Sequence, residues 1–475
     1  MGKSRSESPG SRGLGTDTAI YGVGSISTQA VAAITIVIYA RVLGPEDLGR
    51  LELTTAMVAL VVSGFADSIG TALLRRFHER PEGERRTYVG VSLALTLGVT
   101  GAIAMVAFVL IGSGLVVDDA SRSLYLAAVL SIPVASGARA LANLSRIRRR
   151  ARPYLVATLV RSLFAGTFGV VALLAFDQGA VSFHVGVVAG ALAGAAVSLR
   201  LESAYVGWSV DRPTTRDLSA YAWPLVPAGL AAWSLMLVDR FLLGWLDTLD
   251  ELGQYALAAR VSGLLMLGVF AVQSALTPYV FERYAADPAA EPELRRILLV
   301  PLLMLFGVAA ALTAAFAQEV VPFVAGDAYE PAAVLIPALS LSVVFFASIP
   351  VTQIVLLIEG QTGRIALLSG GAALVNIAAG LALIPWLGAQ GAACATAFGF
   401  GAQAVATYAV GQSVSRVHHR WRASLPTFVL LLGFGATGLV SADDALLSGV
   451  LKAAFAVPLC WWVARQALPP LRRLR

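Results

Sequence analysis

The sequence predicts an all-α integral membrane protein of about fourteen transmembrane helices, and three observations predict it. The first is composition: of 475 residues, 57% are hydrophobic and only 13% charged, with a mean hydropathy of +0.76. A soluble domain carries roughly 25% charged residues. A chain this apolar lacks the polar groups to cover its own surface, so the surplus faces lipid. The second is the recurrence of apolar runs near the length of about 20 residues that a spanning helix needs. The third is an alternating arginine bias between those runs.

The elements follow in order. Met1 to Asp17 is polar, rich in Ser, Gly and Arg, and lacks the apolar core of a signal peptide, so it reads as a disordered cytoplasmic tail. Six spans come next: Tyr21–Leu43, Leu51–Leu74, Tyr88–Ile111, Leu124–Leu144, Pro153–Phe176 and Val181–Leu201. Six more are Tyr221–Leu243, Leu252–Val280, Ile297–Ala317, Ala332–Leu357, Ile365–Ile384 and Gly391–Val414. Leu425–Leu439, the shortest, and Leu446–Ala464 close the series. Gly186, Gly190 and Gly194 recur every fourth residue in the sixth span, a signal for close approach of another helix backbone.

Orientation follows from the basic residues. Alternate segments hold clusters such as Arg75, Arg76, Arg80, Arg85 and Arg86, then Arg146 to Arg152, and finally Arg465 to Arg475. The opposite segments hold only Arg41, Arg50, Arg122 and Lys452. The rich set is therefore cytoplasmic, and with an even number of spans so are both termini.

The net charge of +6 and isoelectric point near 9.5 do not indicate nucleic acid, because the basic residues are dispersed between apolar runs. Cys394 and Cys460 each lie inside an apolar run and predict no disulfide. The four histidines have no zinc-like spacing, and no metal or cofactor is expected. No nucleophile–base pair or phosphate-cradling Gly loop is evident, so no catalytic residue is expected and the chain does not read as an enzyme. The acidic pairs Asp118–Asp119 and Asp443–Asp444 read as helix caps.

An internal echo links the end of the first span to the end of the seventh. The first copy runs Arg41 to Gly49; the second runs Arg240 to Gly244 and then Glu251-Leu252-Gly253. A further echo pairs Gly179 with Gly388. The copies are six spans apart, an even number, so the halves enter the membrane in the same direction, as parallel repeats do. The expected organisation is a tail over 1–17, six-helix lobes over 18–210 and 211–422, and an additional helix pair with a basic tail over 423–475.

The pattern Arg41-x-Leu43-Gly44-Pro45-Glu46-x-Leu48-Gly49 resembles the first loop of the polysaccharide-biosynthesis family of oligosaccharide flippases. Asp239-Arg240-x-x-x-Gly244 with Leu252-Gly253-x-Tyr255 resembles its second-half signature. Gly326-Asp-x-Tyr329-x-Pro331-Ala332 resembles the loop before its tenth span. Asn376, then Ile384-Pro385-x-x-Gly388-x-x-Gly391-Ala392-Ala393, resembles its eleventh and twelfth spans. The resemblance implies the multidrug/oligosaccharidyl-lipid/polysaccharide exporter fold, two six-helix lobes around a central cavity. It implies export of a polyprenyl-diphosphate-linked oligosaccharide across the plasma membrane of a prokaryote, by a monomer. The implied partners are that lipid-linked substrate, membrane lipid, and a glycan polymerase or glycosyltransferases of the same pathway. The last two spans go beyond the twelve of many relatives and are similar to peptidoglycan-precursor flippases.

Charges inside the spans are the candidate site. Arg260 lies about 12 Å into its span at 1.5 Å per residue, and Arg161 is similarly deep. Arg139 and Asp67 are also within spans. An arginine at the bilayer centre costs about 2.5–3.5 kcal/mol, so these groups face protein or a wet cavity. Arg260 and Arg161, with no carboxylate evident at their depth, are assigned to the head group; Arg139 divides evenly between that role and a pair with Asp67. Arg240, which reads as a local structural pair with Asp239 before it reads as a substrate ligand, and Arg41, which can snorkel to the interface, complete the charged set. Gln29, Gln273 and Gln353 are candidate cavity residues or interhelical glue. Two other readings are a drug/cation antiporter, which calls for deep carboxylates, and a membrane glycan polymerase or ligase, which calls for a long external loop.

Overall fold

A computed structural model describes residues 11–114, 117, 119–176, 178–207, 211–287, 290–419, 421–437 and 445–472. Among these the chain is all helical, with no strand. It divides into two compact units, one of Met1–Thr35 with Met57–Gly229 and one of Ile36–Ala56 with Leu230–Arg475.

The first unit holds most of α1 (Ser11–Val42), the end of α2 (Pro45–Val61), α3 (Asp67–Glu79), α4 (Glu82–Gly112), α5 (Asp119–Ile147), α6 (Ala151–Phe176), α7 (Val181–Glu202) and α8 (Arg212–Ala222). α1 begins at Ser11, so seven residues of the segment expected to be a disordered tail, 11–17, are helical. Residues 11–17 contain no proline, and Gly13 and Gly15 weaken the helix there without breaking it. α2 and α3 are joined by a π-helical turn over Val62–Ala66, in which the Asp67 N–H donates to the carbonyl of Val62. α8 is capped by Asp211, whose carboxylate accepts from the Thr214 N–H at 3.0 Å. The glycines of α7 do what their spacing predicts. A Cβ on Gly186 would overlap the Ala165 carbonyl, and one on Gly190 the Arg161 carbonyl, so α6 lies directly against this stripe. Ile69, Leu73, Phe77, Tyr88 and Leu144 form a core where α3, α4 and α5 meet.

The second unit holds α9 (Val226–Leu246), α10 (Leu249–Ala286), α11 (Ala290–Ala315), α12 (Ala317–Ala325), a 3₁₀ segment (Asp327–Leu335), α13 (Ile336–Thr352), α14 (Ile354–Ile358), α15 (Thr362–Val414), α16 (Trp421–Ala436) and α17 (Ala445–Arg472). The Ile36–Ala56 segment, the end of α1 and the start of α2, packs within it. α2 opens on Pro45, Glu46 and Asp47, and α10 is capped by Thr248, whose hydroxyl accepts from the Glu251 N–H at 3.2 Å. α15 is 53 residues long, about 80 Å if straight, far more than a 30 Å hydrocarbon core. It is not straight: Gly388 has φ 54° and ψ −133°, which divides it into the arms expected as separate spans. Leu431 of α16 and Val463 of α17 share a core cluster with Met304 and Ala311 of α11.

Nine helical stretches among the described residues are long and apolar enough to cross a membrane, counting Pro45–Glu79 and Thr362–Val414 once each. Exposed Leu174, Phe176, Leu192 and Phe455 supply the apolar surface that lipid covers. The chain is a multi-pass membrane protein. Cys394 and Cys460 are free thiols.

Candidate functional site

In the first unit, Asp67 stands directly after the π-helical turn. Arg139 of α5 grips it through two hydrogen bonds, Nε to Oδ1 at 2.6 Å and Nη2 to Oδ2 at 2.8 Å. The side chains are 45% and 32% exposed, so the pair is open on one side. Arg161 of α6 lies within electrostatic reach of Arg139 and of Tyr154. Its carbonyl is pressed against Gly190 and its Cβ against Gly194. The side chain makes no hydrogen bond or ion pair among the described residues.

In the second unit, Arg260 is paired, contrary to expectation: its Nη2 donates to Glu52 Oε2 at 2.9 Å. The other oxygen of Glu52 accepts from Arg240 Nε at 3.2 Å. Depth counting missed this pair for a physical reason. Glu52 is only the second residue of its predicted span, but α2 begins at Pro45, so Glu52 is already two turns into the helix. An arginine on a helix leans toward the N-terminus, which carries the Arg260 head back toward Glu52. Arg240 also donates from Nη1 to Asp239 Oδ1 at 2.8 Å and to the Met236 carbonyl at 3.1 Å, with its guanidinium 5.4 Å from the Tyr255 ring centroid. Tyr255 donates to Asp239, and Thr396 donates to the same oxygen at 3.2 Å. Arg240 is thus committed to a buried network and Arg260 is not: their side chains are 11% and 38% exposed, against 5% for Glu52.

Arg41, exposed at the end of α1, has partners of its own. Nε donates to the Val324 carbonyl at 2.7 Å and Nη2 to that of Phe323, so it caps the last turn of α12. Tyr329 donates to the Leu43 carbonyl at 3.0 Å and Gln254 to the Ala328 carbonyl at 2.8 Å. The signature residues thus build one structural corner. Gln29 is exposed, Gln273 half-buried, and Gln353 is the C-cap of α13. Asp119 is the first residue of α5 and pairs with Arg122; Asp118, Asp443 and Asp444 lie outside the described residues.

An apolar cavity of about 650 Å³ lies between α11, α13, the second arm of α15, and α16. Leu299, Leu303, Leu341, Phe345, Val405 and Leu432 line it, with Ser348 and Thr352 among its few polar groups. At its rim the Trp421 Nε1–H donates to Tyr408 Oη at 3.2 Å, and His419 Nδ1 lies 3.3 Å from the same oxygen. Burial pushes the His419 imidazole below its ordinary range. Sequence reading passed over this cavity, because its lining is spread over four helices as ordinary span residues. Among the described residues no group of three His, Cys, Asp or Glu side chains could hold a metal.

An arginine unpaired among the described residues and lying beside the Arg139–Asp67 pair, a partly exposed arginine in the neutral Glu52 cluster, and an apolar cavity can hold an anion and a hydrocarbon chain. The family model described as "Polysaccharide biosynthesis protein" matches residues 14–284. The chain belongs to this family. A search of curated protein sequences returns no match. Among solved structures, the lipid II flippase MurJ in an inward closed conformation aligns with a TM-score of 0.74 at 11% identity, over 95% of this chain and 100% of that one. An inward-facing multidrug resistance MATE family transporter of the MOP superfamily aligns at 0.67 and 14% identity, over 81% and 94%. A point mutant of the Vibrio cholerae MATE transporter VcmN aligns at 0.59 and 14% identity, over 85% and 97%. The fold of this polysaccharide-biosynthesis protein is therefore that of the MOP-superfamily transporters and flippases, and the alignment with MurJ extends over nearly the whole chain.

Proposed function

We propose that this family member is a flippase that moves a polyprenyl-diphosphate-linked oligosaccharide from the cytoplasmic to the outer leaflet of a prokaryotic plasma membrane. The observation that carries the reading is Arg161, a mid-helix cation with no hydrogen bond or ion pair among the described residues. Such a charge is expensive in a membrane, and a diphosphate is the compensation that a bidentate guanidinium fits best. Arg139 and Arg260, each paired but partly exposed, are the further head-group contacts. The apolar cavity bordered by α16 takes the polyprenyl tail.

The lobes, 18–210 and 211–422, rock about a parallel pseudo-twofold to give alternating access, with fourteen spans and both termini cytoplasmic. A negative interior favours outward movement of an anion by about 2.3 kcal/mol per charge per 100 mV. The protein acts as a monomer, transports without group-transfer chemistry, and works beside the polymerase or glycosyltransferases that supply and consume its substrate. A peptidoglycan-precursor flippase is the second reading, favoured by the full-length likeness to MurJ. The deciding assay is translocation in reconstituted vesicles, offering a polysaccharide repeat unit and a peptidoglycan precursor, each on polyprenyl diphosphate. Transport of the first supports the proposal, transport of the second alone moves it to the second reading, and transport of neither overturns both.

A further inference from the structure

Glu52 is shared. One oxygen belongs to Arg240 at 3.2 Å, which is buried and held by Asp239, the Met236 carbonyl and Tyr255. The other belongs to Arg260 at 2.9 Å, which is 38% exposed and has a buried Nε with no hydrogen-bond partner. The two pairs therefore differ in kind. The Arg240 side cannot open without uncovering a buried charge, a strongly unfavourable change. The Arg260 side can, because the guanidinium is already partly exposed and has donors to spare. The four charges, Glu52, Asp239, Arg240 and Arg260, sum to zero, so an arriving anion has no net positive field to bind and must displace a resident carboxylate.

We propose that Glu52 is a positioning and release residue, a built-in competitor that holds Arg260 ready and takes it back from the transported anion. This rests on the reading of Arg260 as a head-group contact. A transporter gains nothing from an arginine that binds a diphosphate tightly and keeps it: binding must be strong enough to enter and weak enough to leave. A carboxylate within hydrogen-bond reach, fixed from behind by Arg240, supplies the return partner. Glu52 touches no substrate; it acts through Arg260.

The test separates affinity from turnover in full-length protein, with farnesyl diphosphate and inorganic pyrophosphate as binding probes and a fluorescent polyprenyl-diphosphate oligosaccharide as cargo. Glu52→Gln keeps the shape and removes the competing charge. It is expected to bind both probes about threefold to tenfold tighter than wild type while transporting several-fold more slowly. Glu52→Asp keeps the charge that neutralises Arg240 but shortens its reach to Arg260, and is expected to shift both quantities the same way by less. In an Arg260→Ala background, Glu52→Gln should leave affinity unchanged, because its route of action is gone. Weaker binding by Glu52→Gln, or wild-type affinity and turnover in Glu52→Asp, would overturn the proposal. If Glu52→Gln does not fold, the decision passes to Glu52→Asp and the Arg260→Ala background. Wild-type protein that binds neither probe defeats the flippase reading itself, a result distinct from either of these.

Discussion

Gly49 and Gly253 occupy the same place in a reciprocal contact. A Cβ on Gly49 would overlap the carbonyl of Leu249, the first residue of α10, and a Cβ on Gly253 would overlap the carbonyl of Pro45, the first residue of α2. Each is the fifth residue of its helix, and Leu48 and Leu252, one residue earlier, are both fully buried. The two motif copies in the sequence therefore meet as a matched pair. Gly49→Ala and Gly253→Ala should each destabilise the protein by about 1–3 kcal/mol, the usual cost of overpacking. Gly98→Ala, where nothing lies within 4 Å, should be neutral or stabilising by up to about 1 kcal/mol. Thermal unfolding in detergent compares the three. Wild-type melting of both motif variants would show that the backbones can separate without loss.

What was legible in the sequence was whatever depends on composition and period. Membrane class, helix positions and the α7 glycine stripe follow from local pattern, and the structure carries them. Pairings between distant helices follow from depth and side-chain lean, which a span boundary uncertain by several residues cannot supply. Glu52 and Arg260 illustrate this: 208 residues separate them, and the carboxylate stood at an edge where it looked like a loop residue. Asp67 and Arg139 were legible as one of two alternatives because both fall well inside their spans. The cavity was illegible because an apolar lining looks the same as an apolar core.

The His419 imidazole makes a pH prediction. Its folded-state pKa is lowered by burial from 6.5. Above 6.5 both states are neutral and pH has no effect through this group. As pH falls below 6.5 the unfolded state takes up a proton first, so stability is lost between 6.5 and the folded value. A melting-temperature series from pH 7.5 to about 5 should decline more steeply for wild type than for His419→Phe. Parallel curves would mean that the ring is solvated in both states.

Topology is checked by thiol labelling in a variant lacking Cys394 and Cys460. Single cysteines at Arg148 and His418 should be shielded from an impermeant reagent in whole cells, and one at Asp443 should react. The arginine bias requires this, since Arg146 to Arg152 could not all lie outside without reversing the charge rule. Labelling at Arg148 or His418 would break the fourteen-span arrangement.

The cavity makes a prediction about the tail alone. Gly435 of α16 lines it, and a Cβ there meets Ala311 and Ala314 at 3.5–3.6 Å, ordinary contact, so a side chain can start there without displacing them. Gly435→Leu should fill part of the space and weaken binding of a long polyprenyl diphosphate roughly tenfold, the loss of about two buried methylenes. Inorganic pyrophosphate should bind as before. Equal loss for both ligands would indicate that α16 has shifted rather than that the cavity has been filled.

Arg161 is where the proposed function is most exposed to refutation. Its backbone carbonyl lies where Gly190 leaves room, and its Cβ packs beside Gly194, so the side chain is aimed by the helix pair rather than by a partner of its own. A positive charge held this way destabilises the resting protein and is compensated only when an anion arrives. Arg161→Ala should therefore melt no lower than wild type, and even slightly higher, while transport of the lipid-linked oligosaccharide falls by at least tenfold. Arg161→Lys should retain part of the activity, because a point charge keeps the attraction and loses the bidentate fit. Arg139→Ala should behave differently, since it strands Asp67: both stability and transport should drop. Vesicle transport and detergent melting on the same preparations separate these outcomes. Full transport by Arg161→Ala would remove the residue from the site. A large loss of stability in that variant would show that the side chain has a structural partner, and with it the argument from an uncompensated charge would fall.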